Sequence, residues 1–299
     1  MRPLIVGTRT SALALAQTHL VAAAIREAFP ELTIELREIE TVGDKRLDLS
    51  LGEATGKLDK GLFTKELEEA LLDGRIDVAV HSLKDLPTIL PEGLRLMAVL
   101  PRARVDDCLI SKTPGGFAAL PLGAAVATSS VRRHLQLRAA RSDLEMREIR
   151  GNVGTRLRKL VLDPEWSATV LAAAGLERLG LIKNDMIEVE GTPLFVSNLT
   201  PEVTLPAVGQ GAIGIETREN DGEHAIVWQT INHFPTWESV SLERALLRGL
   251  GGGCQTPLGV RSWLENAEWH LEAVLFRNGR RIVARGNAVN VLVKELLET

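Results

Sequence analysis

Five short stretches of this sequence carry residue types that do chemistry at close range. In His81-Ser82-Leu83-Lys84-Asp85 the aspartate is suited to proton transfer or to stabilising a developing cation, and the lysine to holding a carboxylate. A solvated Lys–Asp pair of little energetic weight is the plain alternative, and His81 reads as a structural hydrogen-bonding residue. In Leu250-Gly251-Gly252-Gly253-Cys254-Gln255-Thr256-Pro257 three glycines precede a thiol. That spacing implies a mobile, sterically open turn from which Cys254 could act as a nucleophile. Cys108, in a strand-like run, reads as a small buried hydrophobe.

The other three stretches look like anion cups. Thr128-Ser129-Ser130-Val131-Arg132-Arg133 offers hydroxyls to cap a helix and two arginines in its first turn. Arginine there opposes the positive end of the helix dipole, which makes sense with an anion nearby; a solvent-facing pair accounts for the motif as well. Arg150-Gly151-Asn152-Val153-Gly154-Thr155-Arg156 opens the next helix, with glycines that let backbone amides approach a ligand. Gly7-Thr8-Arg9-Thr10-Ser11 is a third such junction, nearer the N-terminus.

Positioning these groups requires alternating strands and helices. Strands are expected at 3–6, 33–39, 76–80 and 94–100, and helices at 11–29 and 62–72. This βαβ rhythm implies a largely parallel sheet. The pattern repeats with strands at 124–128, 145–149 and 169–173 and helices at 130–140 and 153–162. Residues 182–205 read as a long, less periodic connection, and 211–216 as a strand that could return to the first domain. After about Pro235 come a helix (239–250), the glycine-rich turn, three strand-like runs and a last helix (291–297). Both cups of an open α/β sheet should lie at the carboxyl ends of its strands.

The chain has 299 residues, of which 45% are hydrophobic and 25% charged, with a net charge of −4. These values describe a soluble globular protein of two or three domains. Eight of its 26 arginines lie between Arg132 and Arg158, against three acids, so that window carries +5 within an acidic chain. A compact, multiply charged anion is the expected partner. The net charge and 11 aromatic residues argue against a nucleic-acid binder. Two cysteines make no disulfide framework, and the 6 histidines show no metal-type spacing. No apolar run is long enough for a membrane span. Gly7–Thr10 interrupts the N-terminal apolar run before a signal-peptide core forms, so cytoplasmic residence is expected. A non-catalytic binding protein for a polycarboxylate would use the arginine cups but need neither Asp85 nor Cys254.

In chain order these stretches resemble the porphobilinogen deaminase (hydroxymethylbilane synthase) family. Further matching segments are Lys60-Gly61-Leu62-Phe63, Val80–Pro87, Ala174–Gly180 and Leu205-Pro206-Ala207-Val208-Gly209-Gln210-Gly211. The resemblance implies an α/β protein with two lobes like type-2 periplasmic binding proteins around a cleft, plus a small C-terminal α+β domain. The corresponding divisions are 1–100 with about 211–232, 101–205, and 236–299. It implies a covalent dipyrromethane cofactor, joined by a thioether to Cys254. Four porphobilinogen molecules would be added to it, each losing ammonia, before hydrolysis releases hydroxymethylbilane.

By the same resemblance Asp85 is the catalytic carboxylate, stabilising a cationic azafulvene and guiding protons. Lys84, Asp85, Thr128, Ser129, Ser130, Arg132, Arg133 and Arg156 match cofactor-binding positions. Arg9, Ser11, Arg150, Arg156 and Arg178 match substrate-binding positions. Arginine suits acetate and propionate groups through its planar fork of donors. No metal, nucleic acid or membrane partner is implied, and the expected state is a monomer. The sequence departs from the family at Arg104-Val105-Asp106-Asp107-Cys108, at Pro164-Glu165-Trp166-Ser167, in an extended connection over 183–204, and in a longer cleft-covering loop, Asp48–Asp59, that includes Lys57.

Overall fold

In the computed structural model the chain is described over residues 2–45, 63–253 and 255–298. The loop Asp48–Asp59, residues 60–62 and Cys254 lie outside the described residues. From the N-terminus run β1 (Leu4–Arg9), α1 (Ala12–Ala28), β2 (Ile34–Ile39), α2 (Val42–Lys45), α3 (Lys65–Leu72), β3 (Val78–Ser82) and β4 (Leu94–Val99). Next come β5 (Asp107–Ser111), β6 (Ala125–Ala127), α4 (Val131–Ala140), β7 (Glu145–Arg147), α5 (Val153–Leu162), β8 (Trp166–Ala172), α6 (Ala173–Arg178), β9 (Met186–Val189) and β10 (Thr192–Asn198). The chain ends with β11 (Ile213–Arg218), α7 (Ala225–Ile231), α8 (Phe234–Gly249), β12 (Leu258–Glu265), β13 (Glu268–Arg277), β14 (Arg280–Gly286) and α9 (Val289–Glu298).

Two units emerge, 1–103 with 211–241, and 104–210 with 242–299. The first holds a five-stranded sheet of order β2-β1-β3-β11-β4. Its β1 pairs in parallel with β2 and β3, whereas β11 is antiparallel to both β3 and β4. The sheet is therefore mixed rather than largely parallel, because the returning strand enters against its neighbours. On one face Leu4, Val6, Val78, Val80, Ile213 and Ile215 pack against Val21 and Ile25 of α1 and Trp228 of α7. On the other, Leu67, Ala70 and Leu71 of α3 cover Ile76 and Ala79. Side chains alternate along a strand, so both faces of a central strand must be apolar, which the run Ile76–Val80 supplies apart from Asp77.

The second unit holds a six-stranded sheet of order β7-β6-β8-β5-β10-β9. Residues 182–205, read as an irregular connection, contain the hairpin β9–β10, which extends this sheet through β5. Its turn places Glu190 and Gly191 at positive φ, so ordinary strand chemistry is interrupted only there. Helix α8 begins at Phe234, five residues before the expected start, with Pro235 in its first turn where a missing N–H costs nothing. The antiparallel sheet β12-β13-β14 and α9 enclose a separate core of Leu258, Val260, Leu271, Leu275, Leu292 and Leu296. This small α+β region is tied to the rest of its unit by Val260 N–H, which donates to the Pro206 carbonyl at 2.8 Å.

Candidate active site

The first unit presents a pocket with about 420 Å³ of empty space, part of it open to solvent. Arg9 and Ser11 reach it from the β1–α1 junction, Gln17 from α1, Phe63 and Thr64 from the start of α3, and His81, Ser82 and Asp85 from the end of β3. The geometry follows from the local sequence. Ser11 is the N-cap of α1, its hydroxyl oxygen accepting from Ala14 N–H at 3.3 Å. That leaves the Ser11 O–H, which donates to no described residue. After β3 the chain turns through one 3-10 turn, Leu83–Asp85, which buries Leu83 and Leu86 and leaves Lys84 and Asp85 half-buried between them. The Asp85 carboxylate meets no hydrogen-bond donor or cation among the described residues, whereas Lys84 does have a partner. Gln17, three residues beyond Ala14 on the same helix face, holds Ser82 Oγ at 2.9 Å.

Arg9 is not idle. Its Nε and Nη2 clasp Asp44 of α2 at 3.1 and 2.6 Å, and its guanidinium lies 4.3 Å from the Phe63 ring centroid. Thr41 Oγ1 donates to the same carboxylate at 2.8 Å. Burial opposes the charge on Asp44, but Arg9 and Thr41 win and hold its carboxyl below the usual range. This bidentate pair uses one edge of the guanidinium and leaves Nη1 directed at no described acceptor.

In the second unit the two cups sit at the carboxyl ends of parallel strands, as expected. Thr128–Ser130 follows β6 and Arg150–Asn152 follows β7. Ser129 ties them together, donating to Ile149 O at 2.8 Å and accepting from Ile149 N–H at 3.1 Å. Ser130 caps α4, and Asn152 caps α5 through Thr155 N–H at 2.9 Å. Arg156 Nε donates to Gly151 O at 2.7 Å, and Arg150 lies 3.6 Å from the exposed Glu148. Arg178, at the end of α6, is half-buried; burial lowers its pKa and Glu177 offsets part of that.

The two arginines in the first turn of α4 do have an anion, and it is internal. Arg132 Nη1 and Arg133 Nη2 lie 2.8 and 2.7 Å from the two oxygens of Asp107. Arg132 also donates to Leu205 O at 2.6 Å, Arg133 to Val170 O at 2.9 Å, and Gln210 to Asp107 at 2.9 Å. All three charged groups are buried. Burial alone would raise the Asp107 pKa, but the two guanidinium groups hold it far below the carboxylate range. Asp107, Asp44 and Gln17 escaped the sequence reading. For Asp107 a signal existed: the unexplained Asp106-Asp107 pair precedes a buried strand, where an acid needs a partner.

Gly252 departs from the expected open turn. A Cβ there would meet Thr256 Oγ1 at 2.5 Å and Leu247 Cδ1 at 2.6 Å, whereas one on Gly253 would meet nothing. Of the three glycines only Gly252 is packed, and Gly251 and Gly253 face open space as expected.

A family model described as porphobilinogen deaminase, dipyromethane cofactor binding domain, matches residues 4–225. A second, for the C-terminal domain of porphobilinogen deaminase, matches residues 237–294. The chain belongs to the porphobilinogen deaminase family. A relative of that name from Geobacillus sp. (strain WCH70) is 45% identical over 268 residues, spanning 90% of this chain and 82% of that protein. Another, from Roseiflexus sp. (strain RS-1), is 46% identical over 290 residues, spanning 95% and 90%. The residues present fit the family's dipyrromethane. In the second unit the guanidinium groups of Arg150 and Arg156 and two helix N-termini with side-chain caps suit a group bearing acetate and propionate arms.

Proposed function

We propose that this chain is a hydroxymethylbilane synthase. It deaminates porphobilinogen and joins four such units head to tail on a covalent dipyrromethane, releasing hydroxymethylbilane and ammonia in tetrapyrrole biosynthesis. Membership of the family supports the reaction, and the Asp85 carboxylate in the first-unit pocket, which meets no partner among the described residues, supports the residue roles. Three domains, with the boundaries given above, are part of the reading. So is a cytoplasmic monomer without a nucleic-acid partner. No described helix is long and apolar enough to cross a membrane.

When bound through Cys254, the dipyrromethane supplies the pyrrole carbon from which the chain grows. Asp85 stabilises the positive charge left on the substrate's aminomethyl carbon as ammonia departs, because no cation among the described residues pairs with its carboxylate. Lys84 holds a carboxylate beside it. Arg9, through Nη1, and the Ser11 O–H bind acid groups of the incoming substrate. Arg150, Arg156 and Arg178 bind those of the growing chain. Thr128, Ser129 and Ser130 present the amide-rich turn that faces the cofactor. Arg132 and Arg133 serve the cofactor through donors that Asp107, Leu205 and Val170 leave unused.

Intact-protein mass spectrometry tests this. The protein should carry the mass of a dipyrromethane, peptide mapping should place it on Cys254, and Cys254→Ala should lack it. An active but unmodified protein, or an adduct surviving Cys254→Ala, contradicts the proposal.

A further inference from the structure

Asp85 sits in the 3-10 turn Leu83–Asp85, and among the described residues no donor or cation holds its carboxylate. The backbone of the turn therefore decides where that carboxylate stands in the pocket. The turn hangs on the strand that returns to this sheet. Leu83 N–H donates to Ala212 O, just before β11, at 3.1 Å, and Leu86 N–H closes the turn on Leu83 O at 3.2 Å. Leu83 and Leu86 are 1% and 3% exposed. They share one apolar cluster with Val99, Ala212 and Val240, edged by the partly buried Leu90, Leu96 and Trp237.

The register of β11 decides what Leu83 rests on. Gly214 of β11 pairs with His81 of β3 on one side and with Val99 of β4 on the other. Beside that pairing, Glu216 Oε2 lies 2.9 Å from His81 Nε2, and this buried contact ties β11 to β3. Gly214 leaves a hollow in the sheet, and Leu83 fills it. A Cβ at 214 would lie 2.9 Å from Leu83 Cδ1, 3.1 Å from Leu96 Cδ1 and 3.7 Å from Leu83 Cβ. Gly214 is not at positive φ, so space rather than backbone freedom calls for glycine here. Carbon atoms in contact settle at about 3.5–4.0 Å, so a methyl group at 214 would have to push Leu83 Cδ1 back by about 0.8 Å. Leu83 is enclosed in a packed cluster, where a side chain without room to turn aside passes such a push to its own backbone.

We infer that Gly214 and Leu83 are positioning residues for the reaction: the missing Cβ at 214 seats Leu83, and that seat sets the place of the turn that presents Asp85 to the substrate's aminomethyl carbon. The inference rests on the transferase reading, with Asp85 as its catalytic carboxylate. Arg9 and Ser11, which bind acid groups of the substrate in that reading, stand at the β1–α1 junction and do not depend on this seat. A displaced turn therefore acts on the chemical step more than on substrate binding. Misplacing a reacting group by about 1 Å lowers a rate on the order of 100-fold.

The test uses the holoenzyme with Gly214→Ala, with Leu83→Val and with both together, each checked by intact mass for the cofactor and by thermal unfolding. Well below its unfolding temperature, Gly214→Ala should lower kcat roughly 10- to 100-fold, with KM for porphobilinogen changed by less than about twofold. Leu83→Val withdraws the branch that the new methyl group meets, so the double variant exchanges volume for volume and should recover to within about threefold of wild type. Gly214→Ala combined with Leu96→Val should stay as slow as Gly214→Ala, because Leu96 does not carry the turn. Should Gly214→Ala alone fail to fold, Leu83→Val alone, which leaves the hollow part-empty, should be slower than the double variant. A Gly214→Ala protein that melts earlier yet turns over as wild type overturns the inference. So does a change in KM with kcat unaltered, recovery through Leu96→Val instead of Leu83→Val, or a double variant no faster than Leu83→Val. A wild-type protein without adduct or hydroxymethylbilane production overturns the transferase reading, and the inference with it.

Discussion

Replacing Asp107 with asparagine removes the one anion that two buried guanidinium groups share. Asp107 is 1% exposed, and Arg132 and Arg133 are 6% and 5% exposed. The two short contacts, 2.8 and 2.7 Å, leave no room for water to substitute for the lost charge. Removing one member of a buried ion pair costs about 3–5 kcal/mol, because the charge left behind is uncompensated. Here one substitution strands two cations, which places the expected loss in the upper half of that range. At about 2–4 °C per kcal/mol for a unit of this size, the unfolding midpoint of the second unit should fall by roughly 8–20 °C. Calorimetry at neutral pH reads this directly, and the shift should change little with added salt because the triad is buried. The sign of the pH dependence follows from the depressed pKa. The carboxylate's contribution is fully present above the unfolded value near pH 4 and is lost only as pH falls through the far lower folded value. The wild-type and variant curves should therefore converge only below about pH 4. Replacing the whole triad by Asp107→Leu, Arg132→Met and Arg133→Met should restore most of the loss. A midpoint for Asp107→Asn within about 2 °C of wild type, or no recovery in the triple variant, refutes the reasoning.

Three other outcomes are expected. Asp85→Asn should keep the cofactor by intact mass yet turn over at least roughly 100-fold more slowly, the low end for an acid–base group; near-normal turnover removes Asp85 from its role. Asp44→Asn should raise KM for porphobilinogen by about fivefold with little change in kcat, because a charged hydrogen bond that aims the Arg9 fork is weakened at a partly exposed site; an unchanged KM contradicts the positioning of Arg9 by Asp44. Cys108, fully buried with its thiol pushed up to about 11 by burial, should resist alkylation in the native holoenzyme at neutral pH, and mass spectrometric detection of an adduct at Cys108 counts against that burial.

Local sequence signals specified much of the scaffold. Ser11 followed by apolar residues at helical spacing marked α1, and the cap is where it was expected. Ser130 and Asn152, each before an arginine-bearing helix, marked α4 and α5. The hairpin β9–β10 was not legible, because short strands interrupted by Asn184, Asp185 and Glu190 at positive φ lack a clear period. The start of α8 was hidden by Pro235, which reads as a breaker in sequence but is harmless in a first helical turn.

For the candidate site, the sequence by itself determined which groups stand at which strand ends: Arg9, Ser11, Asp85, Thr128–Ser130 and Arg150–Arg156. These follow from short-range rules, since a strand, a turn and a capped helix are set within a dozen residues. It also offered an anion beside Arg132 and Arg133 as one of two readings, because the helix dipole opposes them wherever the helix packs. Only the tertiary structure decided that Asp107 supplies that anion, that Asp44 takes one edge of Arg9, and that Glu216 lies against His81. Those partners are 25, 35 and 135 residues away in sequence. Pairings at that separation depend on sheet order and register, which place a carboxylate within about 3 Å of its partner only after the strands between them are hydrogen-bonded.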